Sequence, residues 1–99
     1  MAVVMKMKWD GIGPEQYDAS RDLVRWETEG PDGAIFHVAW FEDGNLRVLD
    51  VWESPEQFQA FVDNRLTPGL QQLGIEGQPH VEFQPAHCIF DAAHGEARS

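Results

Sequence analysis

Two residues of this chain, His37 and Asp50, can do acid–base chemistry at a spacing that a hairpin would close. They flank Asp43-Gly44, and Asp-Gly between two apolar runs favours a two-residue type I′ turn, because both central positions need positive φ. With Glu42 facing Asn45, the ladder then sets His37 opposite Asp50, Ile35 opposite Trp52 and Trp40 opposite Arg47. Side chains so opposed have Cβ atoms about 4.5–5.5 Å apart. A carboxylate beside an imidazole favours its charged form and fixes its tautomer, which suits a general base or a proton shuttle. The same pair also serves as a satisfied, inert cross-strand contact. Trp52 falls on the same face as Asp50, where an indole can stack on a planar ligand or pack against a helix. Met5 and Met7 share a face of the first strand; flexible thioethers line adaptable pockets and fill cores equally well. Trp40 opposite Arg47 suggests a structural cation–π contact.

Other chemistries find less support. His80 and His87 lie an odd number of residues apart, so on one strand they point to opposite faces and cannot share a metal; His94 is near the C-terminus. No metal site is expected. Cys88 is the single cysteine, which excludes an internal disulfide, and with no activating neighbour in sequence it is expected to be a buried, inert thiol. No serine sits in a nucleophile elbow and no glycine run forms a phosphate loop. Seventeen acidic residues against seven basic give a net charge of −10, which repels phosphate backbones and anionic lipid. Neither nucleic acid nor membrane is therefore an expected partner. The apolar start of MAVVMKMKW is too short for a signal peptide, and the expected compartment is the cytoplasm.

These residues need elements to hold them. Alternation predicts a first strand over Val3–Trp9, with Val3, Met5, Met7 and Trp9 on one face. Pro14 opens a helix running to about Glu29, with an apolar stripe of Ala19, Leu23 and Trp26 widened by Tyr17 and Val24. The hairpin strands are Ala34–Glu42 and Asn45–Glu53. Ser54, Pro55 and Gln57 then form the cap, first turn and S-x-x-Q box of a second helix. Pro68 either kinks that helix or leaves Thr67 to cap a new short turn, and Gly74 stops it. A fourth strand is expected over about His80–Phe90, with Pro85 marking an edge or bulge. One domain over residues 2–90 and a flexible tail over 91–99 complete the chain. The order β-α-β-β-α-β is that of an α+β, ferredoxin-like domain, a four-stranded antiparallel sheet with two helices on one face. Strand Ala34–Glu42 is apolar on both faces, and two helices cover only one, so the other face asks for a second copy, a homodimer.

On this frame the stretch VWESPEQFQAF resembles the antibiotic biosynthesis monooxygenase-like group of the dimeric α/β barrel superfamily. Together with HVAWF, DVWES and RLTPGLQQLGI it looks most like an actinobacterial-type branch of that group. The likeness covers about residues 2–90 in layout and implies a dimeric α/β barrel. The group includes cofactor-free oxygenases of aromatic polyketides and haem-degrading enzymes. The haem-degrading members carry a tryptophan on the second helix where this chain has Phe61, a haem-ligating histidine where it has about Leu70, and a first-strand asparagine where it has Met and Lys. The haem set is absent, so no cofactor is implied; Phe61 is kept as a ligand-facing residue. Two functions follow: a small dimer that binds an apolar or aromatic molecule without catalysis, with Trp52, Met5, Met7 and Phe61 as ligand contacts, or a cofactor-free monooxygenase-like or isomerase-like enzyme using His37 and Asp50.

Overall fold

At the hairpin turn Asp43 has φ 52° and Gly44 φ 79°, the two positive values that a type I′ turn requires. The computed structural model describes residues 2–91 and 96–98. Strand β1 (Val3–Trp9) is followed by helix α1 (Pro14–Val24), then by the hairpin strands β2 (Ala34–Glu42) and β3 (Asn45–Trp52). A long helical run comes next in three pieces: α2 (Pro55–Phe61), a π-helical turn (Val62–Leu66) and α3 (Thr67–Gln72). Strand β4 (His80–Pro85) completes an antiparallel sheet in the order β2-β3-β1-β4. This is the ferredoxin-like α+β arrangement.

The register places His37 opposite Asp50 and Trp40 opposite Arg47, as the turn dictates. It does not place Ile35 opposite Trp52. A bulge between Ala34 and Phe36 makes Ala34 the partner of Trp52 and leaves Ile35 as the extra residue. Nor does Arg47 lie over Trp40: its guanidinium reaches Asp10 Oδ1 at 3.4 Å and the Leu46 carbonyl at 2.8 Å, while the Trp40 indole donates to Glu42 Oε1 at 2.7 Å. Cys88, expected buried, is exposed.

One helix end differs from the sequence expectation. Helix α1 stops at Val24, because Arg25 turns left-handed at φ 56°. Its inward face is Tyr17, Ser20 and Val24, while Ala19 looks to solvent. Arg65 reaches back across the fold and donates through Nη2 to the Val24 carbonyl and, at 3.4 Å, to that of Arg25. It thereby satisfies the Val24 carbonyl at the helix terminus, while that of Arg25 also accepts from Glu29 N–H at 2.8 Å. At Pro68 the helical run does not restart from a Thr67 cap. The π turn widens the backbone just before the proline, with Thr67 N–H bonding the Val62 carbonyl, five residues back. The run ends in a Schellman motif: Gly74 at φ 71° donates to the Gln71 carbonyl at 3.1 Å, and Ile75 to that of Leu70 at 2.9 Å. Gly69 faces α1, and a Cβ there would lie 3.3 Å from Val24 Cγ1, so a small residue sets how closely the helices pack.

The fourth strand ends earlier than expected, at Pro85. Ile89–Asp91 (β5) instead pairs antiparallel with Glu96–Arg98 (β6) as a separate ribbon. The rest of the expected 91–99 tail, residues 92–95 and 99, lies outside the described residues. The core lies between the sheet and its helices, where Val3, Met5, Met7, Trp9, Val48 and Trp52 meet Val24, Phe58 and Phe61. The opposite sheet face exposes Phe36, Val38 and Trp40 at 53%, 40% and 39%. No helix among the described residues is long and apolar enough to cross a membrane.

Candidate functional site

The β2–β3 register brings the imidazole of His37 and the carboxylate of Asp50 together, with Nδ1 2.6 Å from Oδ1. Asp50 is the buried charged residue of the core, 3% exposed, and both of its oxygens are engaged. The indole Nε1–H of Trp52 donates to Oδ2 at 3.0 Å. Indole can only donate, so Asp50 accepts on that oxygen. An ionised carboxylate only accepts, so at the other oxygen the proton of the bond is carried by His37 Nδ1. In the neutral ring Nε2 is then an acceptor, and the hydroxyl of Tyr17 lies 2.6 Å from it. Each bond fixes the direction of the next: Trp52 and His37 donate to Asp50, and Tyr17 donates to His37.

Tyr17 comes from the inward face of α1 and is half-buried. Burial raises its pKa, the charge of Asp50 adds to the rise, and the Arg21 guanidinium opposes it. The phenol therefore stays protonated through neutral pH and keeps its role as donor. Trp26 closes the site from the side. The left-handed turn at Arg25 swings its ring over His37, with centroids 4.6 Å apart, and its edge meets Phe61 at 5.4 Å and Trp52 at 6.0 Å.

This chain of hydrogen bonds borders an apolar cavity of about 80 Å³. That is several times the roughly 10–15 Å³ one water molecule requires. Helix α1 contributes Tyr17, Ser20 and Val24, the sheet Met7, Trp9, Val48, His37 and Asp50, and the long helical run Phe58, Phe61, Leu66 and Leu70. A larger groove of about 760 Å³ adjoins it, between the helical run and β4. The two recesses share Met7, Trp9, Phe58, Leu66, Leu70 and Ile75.

Of the residues singled out in the sequence, His37, Asp50, Met7 and Phe61 meet at the cavity wall. Met5 and Trp52 are fully buried, at 0% exposure, in the packed core. Trp52 touches the site through its N–H to Asp50 and not as a stacking platform. Sequence reasoning missed Tyr17 and Trp26 as site residues. Both were legible only as members of a helical stripe, since their meeting with His37 depends on how α1 lies across the sheet.

No family model matches the chain, and no curated protein matches it in sequence. Solved structures do. A conserved protein from Methanosarcina mazei superposes with TM-score 0.60 at 15% identity, over 85% of this chain and 91% of the other. SnoaB from Streptomyces nogalater, a cofactor-independent oxygenase, gives 0.57 at 17% identity, over 87% and 91%. A candidate antibiotic biosynthesis monooxygenase from Deinococcus radiodurans gives 0.56 at 13% identity, over 92% and 97%. The chain has their fold. The likeness first read from VWESPEQFQAF thus holds for the architecture of antibiotic biosynthesis monooxygenase-like proteins. At these identities it says nothing of individual residues.

Proposed function

We propose that the protein binds a small, flat, largely apolar molecule in the recess between the sheet and its helices, and that it does so as a homodimer. The observation that carries the reading is the cavity itself: an apolar hollow walled by Met7, Trp9, Val48, Phe58 and Phe61, with one polar cluster at its edge. Binding sites have this composition, mostly apolar with a few polar groups that orient the ligand. The dimer is supported by Phe36, Val38 and Trp40, large side chains in a row on the sheet face that the helices leave open. A self-complementary sheet face of this kind buries on the order of 2,000 Å² in an obligate dimer. Light scattering should give twice the chain mass, and Val38→Glu should return it to one chain; a monomer mass for the unaltered protein at micromolar concentration would remove the dimer.

Ligand binding is tested with 1-methylnaphthalene, which takes the cavity of about 80 Å³ together with part of the adjoining groove of about 760 Å³. Trp9 and Trp26 line the cavity, so tryptophan fluorescence should change saturably on titration. Leu70→Trp, which fills the cavity, should abolish the change. No saturable response in the unaltered protein refutes the reading.

A second reading, cofactor-free oxygenase-type chemistry, draws on the Tyr17–His37–Asp50 chain together with the fold shared with SnoaB. An imidazole backed by a carboxylate can receive a proton from a bound acid. Oxygen uptake with a hydroxylated polycyclic aromatic, with no metal or cofactor added and lost in His37→Gln, tests it; no uptake with a bound substrate rules it out.

A further inference from the structure

The cavity is almost wholly apolar, so its polar edge decides which way round a ligand sits. His37 is the obvious contact, but its two ring nitrogens are already engaged. With His37 as the neutral Nδ1–H tautomer, Nδ1–H donates to Asp50 at 2.6 Å and Nε2 accepts from Tyr17 at 2.6 Å. Asp50 has both oxygens filled, by His37 and Trp52. Gln16 turns its Oε1 to the backbone, accepting from Gly13 N at 2.8 Å, and Ser20 donates its proton to the Tyr17 carbonyl at 2.8 Å. Arg21 pairs with Glu27. Gln16 and Arg21 are exposed and keep further N–H donors at the solvent side, so beside His37, at the half-buried edge next to Ser20, the open position is the oxygen of Tyr17. Its single proton points to His37, and it therefore offers the ligand an acceptor and no donor.

We propose that Tyr17 is the specificity-determining contact of this cavity, and that through it the Trp52–Asp50–His37 chain selects ligands whose inner end carries a hydrogen-bond donor, an O–H or N–H group. His37 and Asp50 are positioning residues in this scheme: they fix which way the Tyr17 proton points. The polarity is set by the tautomer of His37 and should invert with it. In Asp50→Asn the amide oxygen can still accept from Trp52, and the amide N–H then faces Nδ1. Nδ1 becomes the acceptor, the ring proton moves to Nε2, and Tyr17 must accept from it. The Tyr17 proton is released toward the cavity, which then favours acceptors.

The inference rests on the cavity being a binding site, and the test separates the two claims. Three probes of one shape are titrated against tryptophan fluorescence: 1-naphthol as donor, 1-naphthaldehyde as acceptor and 1-methylnaphthalene as neither. The unaltered protein should bind 1-naphthol about five- to tenfold more tightly than 1-methylnaphthalene, the worth of one net hydrogen bond. Tyr17→Phe keeps the ring and should lose that preference while still binding 1-methylnaphthalene. Asp50→Asn should shift the preference from 1-naphthol toward 1-naphthaldehyde, with ¹⁵N spectra reporting the His37 proton on Nε2; a residue that only braced the fold would not reverse the order. Equal binding of all three probes by the unaltered protein overturns the inference and leaves the binding site standing. An unchanged preference in Tyr17→Phe overturns it as well. Binding of none of them overturns both.

Discussion

Removing the Asp50 carboxylate should cost both stability and the order of the site. In Asp50→Ala two donors lose their acceptor at once, Trp52 Nε1–H, on a residue with no exposed surface, and the half-buried His37 Nδ1–H. Each unsatisfied buried group costs about 1–3 kcal/mol. Part of that is returned, because the variant no longer buries a charge, and His37 can turn its proton to Nε2. The net loss is about 2–4 kcal/mol. For a chain of this length that lowers the melting temperature by roughly 10–20 °C. In urea, with a slope of about 1–3 kcal/mol per M, it moves the midpoint down by about 1–2 M. Melts at one fixed protein concentration measure it, because association also stabilises. Asp50→Asn is the control: it retains an acceptor for Trp52 and a partner for Nδ1, so its loss should be less than half that of the alanine variant. The reasoning fails if Asp50→Ala melts within about 0.3 M urea of the parent. It fails equally if the His37 ¹⁵N shifts are the same with and without the carboxylate.

Tyr17 is the single tyrosine, so tyrosinate absorbance at 295 nm reports it alone. Burial raises its pKa from 10.0, and the alkaline midpoint should lie above that value in the folded protein and return to it in urea. A folded pKa above the unfolded one means that the stabilisation is fully present below about pH 10 and is lost as pH climbs through the folded value; a midpoint at or under 10.0 contradicts the buried phenol. Arg65→Ala should destabilise by about 1–2 kcal/mol, since it strips the Val24 and Arg25 carbonyls of a charged donor and removes the guanidinium lying 5.5 Å over the Phe61 ring. A urea midpoint unchanged from the parent would show that water replaces the guanidinium at no cost.

How far the site could be read ahead of the structure depended on what each contact is made of. His37 against Asp50 was legible because one local device, the Asp43-Gly44 turn, fixes the ladder near it. The same arithmetic failed at Ile35, farther from the turn. There Gly33 carries φ 86°, its carbonyl accepts from Glu53 N–H at 2.7 Å, and a Cβ at Gly33 would fall 2.5 Å from Gln57 Cδ. The strand start is thus held by the chain beyond β3 and by the next helix, and the bulge absorbs the mismatch. The α1 stripe was legible in Tyr17, Leu23, Val24 and Trp26, and missed only in that Ser20 takes the covered place expected of Ala19, since the two differ little in size and only packing on the sheet chooses between them. The early end at Val24 had no local signal such as glycine: Arg25 adopts the left-handed turn while Arg65, forty residues on, holds the carbonyls beside it.

The ring of Trp26 over His37 follows from that left-handed turn, and so the completed site is a product of tertiary structure acting on a legible pair. A core built for stability alone would place apolar side chains where His37 and Asp50 stand, because burying a carboxylate gains little even when it is fully paired. Here every bond in the chain is satisfied, its members come from α1, β2 and β3, and its outer end is an oxygen at a cavity that the packing leaves open. Stability explains why the interior members are paired. It does not explain why the series stops at Tyr17 beside an open hollow, and that is the feature the proposed ligand site would account for.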